Sequence, residues 1–144
     1  MSDIAACVEK ARQSWNAGNL HGYLNLYDAK IRLHGYGPEP MDKESVVGFY
    51  RMIWGALPGS GTANPELVFH EVMVDGAMYC CRFTMSGAHQ GEFMGVPATG
   101  LPYALAGMTM MRFEGDTVVE RWSSADFLGL MMQIGAIPAP APAG

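Results

Sequence analysis

Apolar residues recur every three to four positions early in the chain and every second position later, so helices come first and strands follow. Ile4, Val8, Ala11 and Trp15 share one helical face, which predicts a helix over 3–17. Ser2 or Asp3 can cap it, and Asn16-Ala-Gly-Asn19 ends it. Leu20, Tyr23, Leu24 and Tyr27 predict a second, short helix over about 20–27, and Lys30-Ile-Arg-Leu-His-Gly35 alternates as a short strand. After the breaker Gly37-Pro-Glu-Pro40, Asp42 caps a third helix with Glu44 in its first turn. Val46, Val47, Tyr50, Ile53 and Trp54 form its apolar face, and Pro58-Gly-Ser-Gly61 closes it.

From Glu66 onward the period is that of strands. Leu67–Val74 and Met78–Ser86 flank the turn Asp75-Gly76-Ala77, and Tyr103–Phe113 and Thr117–Ser124 form a second hairpin around Gly115-Asp116. Glycines and prolines between 91 and 102 mark a loop, and a last helix, Phe127–Gln133, stops at Gly135. If Glu114 pairs with Thr117, then Thr109, Met111 and Phe113 share a face with Val118, Trp122 and Ser124, and Asp126 lies opposite Leu105. Met110, Arg112, Val119 and Arg121 fall on the other face. Glu120 falls on the apolar face, which points to a bulge or an exposed edge. Helices followed by a run of strands read as α+β: a curved antiparallel sheet with the N-terminal helices on its concave face and a cavity between them. We expect one domain over 1–137 and a flexible Pro-Ala tail over 138–144.

Composition narrows the functional classes. Of 144 residues, 49% are hydrophobic and 16% charged, which excludes disorder for the body of the chain. The net charge of −5 and the lack of a basic run argue against nucleic acid and anionic membrane as partners. No apolar run reaches the ~18 residues of a membrane span, and no basic-then-apolar leader opens the chain. Cys7, Cys80 and Cys81 form no CxxC pair, so a reducing, cytoplasmic compartment is expected. His21, His34, His70 and His89 show no ligand spacing, so no metal is expected. The 12 methionines suit an ordinary core or an adaptable small-molecule cavity.

The segment Gly87-Ala-His-Gln-Gly-Glu-Phe-Met-Gly-Val-Pro-Ala-Thr-Gly100 resembles the GTHxGEFxGxPPTG stretch of the SnoaL-like polyketide (ester) cyclases. Gly107–Trp122 resembles the strand pair that follows it there. Asp126-Phe-Leu-Gly-Leu-Met-Met-Gln-Ile-Gly135 resembles the family's DxLGLLxQLG ending, and Trp15-Asn-Ala-Gly-Asn-Leu its WNAGD start. The likeness runs from about residue 8 to 137 and departs at Leu101, commonly Arg or Lys, and at Arg121, commonly His. It implies the fold of the NTF2-like superfamily and cofactor-independent acid–base chemistry: a carboxylate at the end of the last strand removes a proton alpha to a carbonyl, and an aldol addition closes a ring. Trp122-xxx-Asp126 matches that carboxylate to Asp126.

The residues themselves leave two roles open for Asp126. It can be a base in an apolar pocket, or the N-cap of the last helix, which spends the carboxylate on backbone amides. His34 and His89 are candidates to hold a developing enolate oxygen. Trp15, Tyr50, Trp54, Leu105, Met111 and Trp122 are candidate substrate contacts. Arg82 can meet a substrate carboxylate or ester, or pair with Glu71 or Asp75. The expected ligand is a small hydrophobic carbonyl compound. The alternatives are a non-catalytic ligand-binding protein of the same fold, or an epoxide hydrolase built on Asp126 with Arg82 or Arg112. A homodimer through the sheet face is expected, with Met110 and Val119 beside Arg112 and Arg121.

Overall fold

The computed structural model describes residues 3–140. The alternative cap at Ser2 and the end of the Pro-Ala tail lie outside the described residues. Helix α1 (Ile4–Asn16) buries Ile4, Val8, Ala11 and Trp15, the stripe the sequence predicts, and Asp3 caps it by accepting from the Ala6 amide at 3.0 Å. Ile4 and Val8, taken almost fully out of water, each contribute roughly 1.5–3 kcal/mol. Helix α2 (Leu20–Leu24) is shorter than its apolar pattern suggests. The Asn25 amide donates to the His21 carbonyl and the Leu26 amide to that of Tyr23, which closes the helix, and the chain then enters β1 (Tyr27–His34). Helix α3 (Lys43–Ala56), capped by Asp42, buries Val46, Tyr50, Ile53 and Ala56.

The remaining strands are β2 (Glu66–Asp75), β3 (Met78–Ala88), β4 (Pro102–Glu114) and β5 (Thr117–Ala125), followed by helix α4 (Phe127–Gln133). They form one sheet in the order β1-β5-β4-β3-β2. The pairs β2–β3, β3–β4 and β4–β5 are antiparallel, as expected, but β1 runs parallel to β5. No hairpin constrains that pair: all of α3 and three strands separate β1 from β5, enough chain to return in the same direction. Tyr103, Leu105, Thr109, Met111 and Phe113 of β4 are buried, while Ala104, Ala106, Met108 and Met110 between them are exposed, so the inner face closes over the core.

One bulge decides where the end of β5 points. Phe113 pairs with Val118, but Arg112 pairs with Glu120, so Val119 is an extra residue on β5. Beyond it every side chain faces opposite to the straight pairing. Arg121 and Ser123 turn inward, and Trp122 and Ser124 turn outward. Val119 and Arg121, expected on the outer face, are buried, whereas Met110 and Arg112 stay outside or half-buried. The bulge also carries Glu120 to the outer face, where Arg112 lies at 3.2 Å and His34 at 2.9 Å. Burying that carboxylate unpaired costs several kcal/mol, which favours the bulged register.

Gly35 directly follows β1; its φ is +111°, and an added Cβ would lie 1.8 Å from the Ser123 carbonyl oxygen of β5. Gly35→Ala is expected to lose at least about 2 kcal/mol from combined backbone strain and overlap, read as a lower urea midpoint. An unchanged midpoint would show that β1 does not press against Ser123.

Candidate functional site

The inner face of the sheet and helices α1 to α3 enclose a narrow cavity of about 40 Å³. Its wall is aromatic: Trp15, Tyr23, Tyr36, Tyr50, Phe83 and Phe127 line it with aliphatic partners such as Leu105 and Met111. Trp15 stands at the centre, edge-on to Tyr23, Tyr50 and Trp54 at ring distances of 4.7, 5.5 and 5.1 Å. Its indole N–H donates to the Pro65 carbonyl at 2.7 Å. Such a wall offers a conjugated ligand large apolar and π surfaces.

One end of the cavity is polar. Arg121, 5% exposed, reaches in from β5. Its Nε donates to Thr109 Oγ1 at 2.7 Å, and its Nη1 donates to the Tyr27 and Tyr50 hydroxyls, with Tyr23 Oη at 3.3 Å. The phenols form their own chain, Tyr23 to Tyr27 at 2.6 Å and Tyr23 to Tyr50 at 3.3 Å. Tyr36 Oη lies 2.6 Å from Ser123 Oγ. Among the described residues no carboxylate lies within ion-pairing distance of Arg121. Burial works against its charge, but the surrounding phenol oxygens outweigh burial and hold its pKa above the ordinary value. Burial pushes the Tyr23, Tyr36 and Tyr50 hydroxyls up, so they stay protonated and able to donate.

Of the candidate contacts, Trp15, Tyr50, Leu105 and Met111 line this cavity. Trp54 backs Trp15 and is not on the wall. Trp122 is on the outer face, 37% exposed, with its ring stacked on His34 at 5.5 Å. That His34 donates to Glu120 at 2.9 Å, and the bond, with Arg112 behind it, holds the Glu120 carboxyl below the ordinary range. Arg82 pairs with Glu71 across the outer face at 2.8 and 3.1 Å, one of the two intraprotein partners the sequence offered.

His89 is fully buried but organises its own loop. Its Nδ1 accepts from the Thr99 amide at 3.3 Å and meets Thr99 Oγ1 at 3.0 Å, so the ring proton sits on Nε2. That nitrogen has no partner among the described residues, and His89 does not line the cavity.

Asp126 is exposed and caps α4, accepting from the Gly129 amide at 2.8 Å. It borders an outer-face groove with Ala106, Met108 and Ser124. The apolar surroundings expected from Leu105, Met111 and Trp122 are not its surroundings, because the bulge moved it to the other side of the sheet. Asp126, His34 and His89 are therefore not brought together. Sequence reasoning missed Arg121 as a cavity residue, along with Tyr23, Tyr36 and Ser123 around it. The signal was present in the misplaced Glu120, since the bulge that expels Glu120 must admit its neighbour.

Three comparisons bear on kinship. A family profile described as SnoaL-like polyketide cyclase matches residues 5–134. No curated protein matches the chain. Among solved structures, AclR from Streptomyces galilaeus superposes with a TM-score of 0.85 at 23% identity, covering 99% of this chain and 87% of that one. IdmH from Streptomyces antibioticus, a candidate polyketide cyclase, superposes at 0.76 with 22% identity, covering 93% and 99%. A candidate SnoaL-like polyketide cyclase from Jannaschia sp. CCS1 superposes at 0.76 with 21% identity, covering 96% and 98%. These likenesses confirm the expected fold.

Proposed function

We propose, from the premise that this chain belongs to the SnoaL-like polyketide cyclase family, that it binds a small hydrophobic carbonyl compound in the cavity and supports cofactor-independent ring closure there. The observation that carries this reading is the aromatic slot ending in Arg121. The slot desolvates the ligand's carbon skeleton. The guanidinium and the hydroxyls around it receive the oxygen on which negative charge develops as an enolate forms and adds to a second carbonyl. Donors fixed in a buried site act strongly on such charge because they need no reorganisation.

The experiment is calorimetric titration with a naphthyl ketone. We expect saturable 1:1 binding that Leu105→Trp, which fills the slot, abolishes and Leu128→Trp does not; Leu128 is 62% exposed on α4. Equal binding by both variants would move the ligand site elsewhere.

A second reading, a ligand-binding protein without catalysis, draws on one observation: no carboxylate is among the residues lining the cavity. The epoxide hydrolase reading loses support, since Arg82 is engaged by Glu71, and Arg112 by Glu120 and Glu114.

The outer face supports self-association. Met73 and Met108 are 68% and 66% exposed, and Met110 and Trp122 continue the apolar patch. Met108→Glu is expected to convert a dimer to a monomer in sedimentation at about tens of micromolar. A wild-type monomer there would sink the idea. Among the described residues no helix is long and apolar enough to cross a membrane.

A further inference from the structure

Arg121 and its neighbours hold hydrogen-bond donors that no acceptor meets. The five hydroxyls of Tyr23, Tyr27, Tyr36, Tyr50 and Ser123 share three oxygen-to-oxygen contacts. Each contact uses one proton, so two of these hydroxyl protons have no acceptor among the described residues. The guanidinium adds to the surplus. Its Nε and Nη1 are engaged, but Nη2 has one weak contact, 3.5 Å to Ser123 Oγ. Buried donors and a buried charge left in this state are costly, and a ligand that supplies the missing acceptor recovers that cost.

The open donors select the acceptor. A carboxylate is best matched by two parallel N–H bonds from one edge of a guanidinium. Both edges here are compromised, because Thr109 holds Nε and the phenols hold Nη1. What remains is Nη2, the Tyr50 hydroxyl proton, since Tyr27 donates to Tyr23 and Tyr23 to Tyr50, and, once Ser123 donates to Tyr36, the Tyr36 hydroxyl proton, both on the cavity wall. Such N–H and O–H donors, with no paired guanidinium edge among them, suit a single oxygen bearing negative charge.

We propose that the cavity takes its ligand as an oxyanion, the conjugate base of an enol or phenol on a conjugated carbonyl compound, with the ionised oxygen held by Arg121 Nη2 and the Tyr36 hydroxyl. The proposal rests on the cavity being the ligand site. As the ligand binds, its O–H bond breaks, the electron pair stays on oxygen and the proton passes to a solvent base. This explains how enolate chemistry can proceed in a cavity whose wall carries no carboxylate.

The test uses the full chain and a nitronaphthol whose anion absorbs in the visible, with its methyl ether and a naphthoate as comparators. We expect the anion band to appear on binding at a pH where the free probe is neutral. The probe's apparent pKa should fall by about one unit or more, a tenfold preference for the ionised form. Arg121→Met should abolish the band while the methyl ether still binds, and Tyr36→Phe should shrink the shift. The wild-type titration decides the matter even if Arg121→Met does not fold. Binding of nitronaphthol and ether without an anion band overturns the oxyanion and leaves the cavity reading standing. Failure of every probe to bind overturns both. Arg121-dependent binding of naphthoate, with the naphthol bound neutral, replaces the oxyanion by a carboxylate.

Discussion

Trp15→Ala is expected to cost about 3–5 kcal/mol of folding stability, the range for removing a large buried aromatic. The ring is 1% exposed and touches α2, α3 and the cavity wall at once. Its removal leaves a hole and also takes the 2.7 Å donor from the Pro65 carbonyl, which keeps only the 3.2 Å bond from Asn64 Nδ2. Trp15→Phe separates the two contributions. It keeps most of the ring and loses the N–H, so it should cost about 0.5–1.5 kcal/mol, the net range for one hydrogen bond, since Asn64 Nδ2 still donates to that carbonyl. Urea unfolding of both variants gives the comparison. A loss below about 1 kcal/mol for Trp15→Ala would mean that the aromatic cluster is not what joins α1 to α3.

What the sequence could and could not tell follows from the same contrast. The helical face Ile4, Val8, Ala11 and Trp15 was legible because four apolar residues at helical spacing have one way to be buried together. The β4 alternation was legible for the same reason, since Leu105, Met111 and Phe113 needed no partner to fix their side. The end of β5 was not legible from alternation. Pairing outward from the Gly115-Asp116 turn carries the register only until the first irregularity, and that comes at once, at Val118-Val119. Two adjacent valines are both content to be buried, so the apolar pattern does not reveal the extra residue. A one-residue slip then reverses Arg121, Trp122 and Asp126 together. The family resemblance did not repair this. It aligned Asp126 with a carboxylate position while Arg121 stood where the family commonly has His, and a motif fixes spacing rather than facing. His34 and His89 failed as pocket residues for a different reason: each has a nearer partner, Glu120 or Thr99, that a scan for isolated histidines does not see.

The reversal of β5 makes opposite predictions for two residues five positions apart. If the cavity acts through Arg121, Arg121→Met should lower the rate of ring closure of an open-chain poly-β-carbonyl ester by about 10²–10³-fold, the usual loss for a fixed donor to a developing oxyanion. Asp126→Asn should leave both rate and melting temperature nearly unchanged, since Asn caps a helix about as well as Asp. Asp126→Ala should cost about 1 kcal/mol through α4 and leave the rate intact. The straight pairing of the sequence reverses this ranking, with a loss of about 10²–10⁴-fold in Asp126→Asn from removal of a general base. Absorbance assays of the three variants, each with a thermal melt, separate the two. A folded Asp126→Asn that no longer turns over would return proton removal to Asp126. A folded Arg121→Met at full rate would show that the buried guanidinium serves the tyrosine cluster and not the reaction.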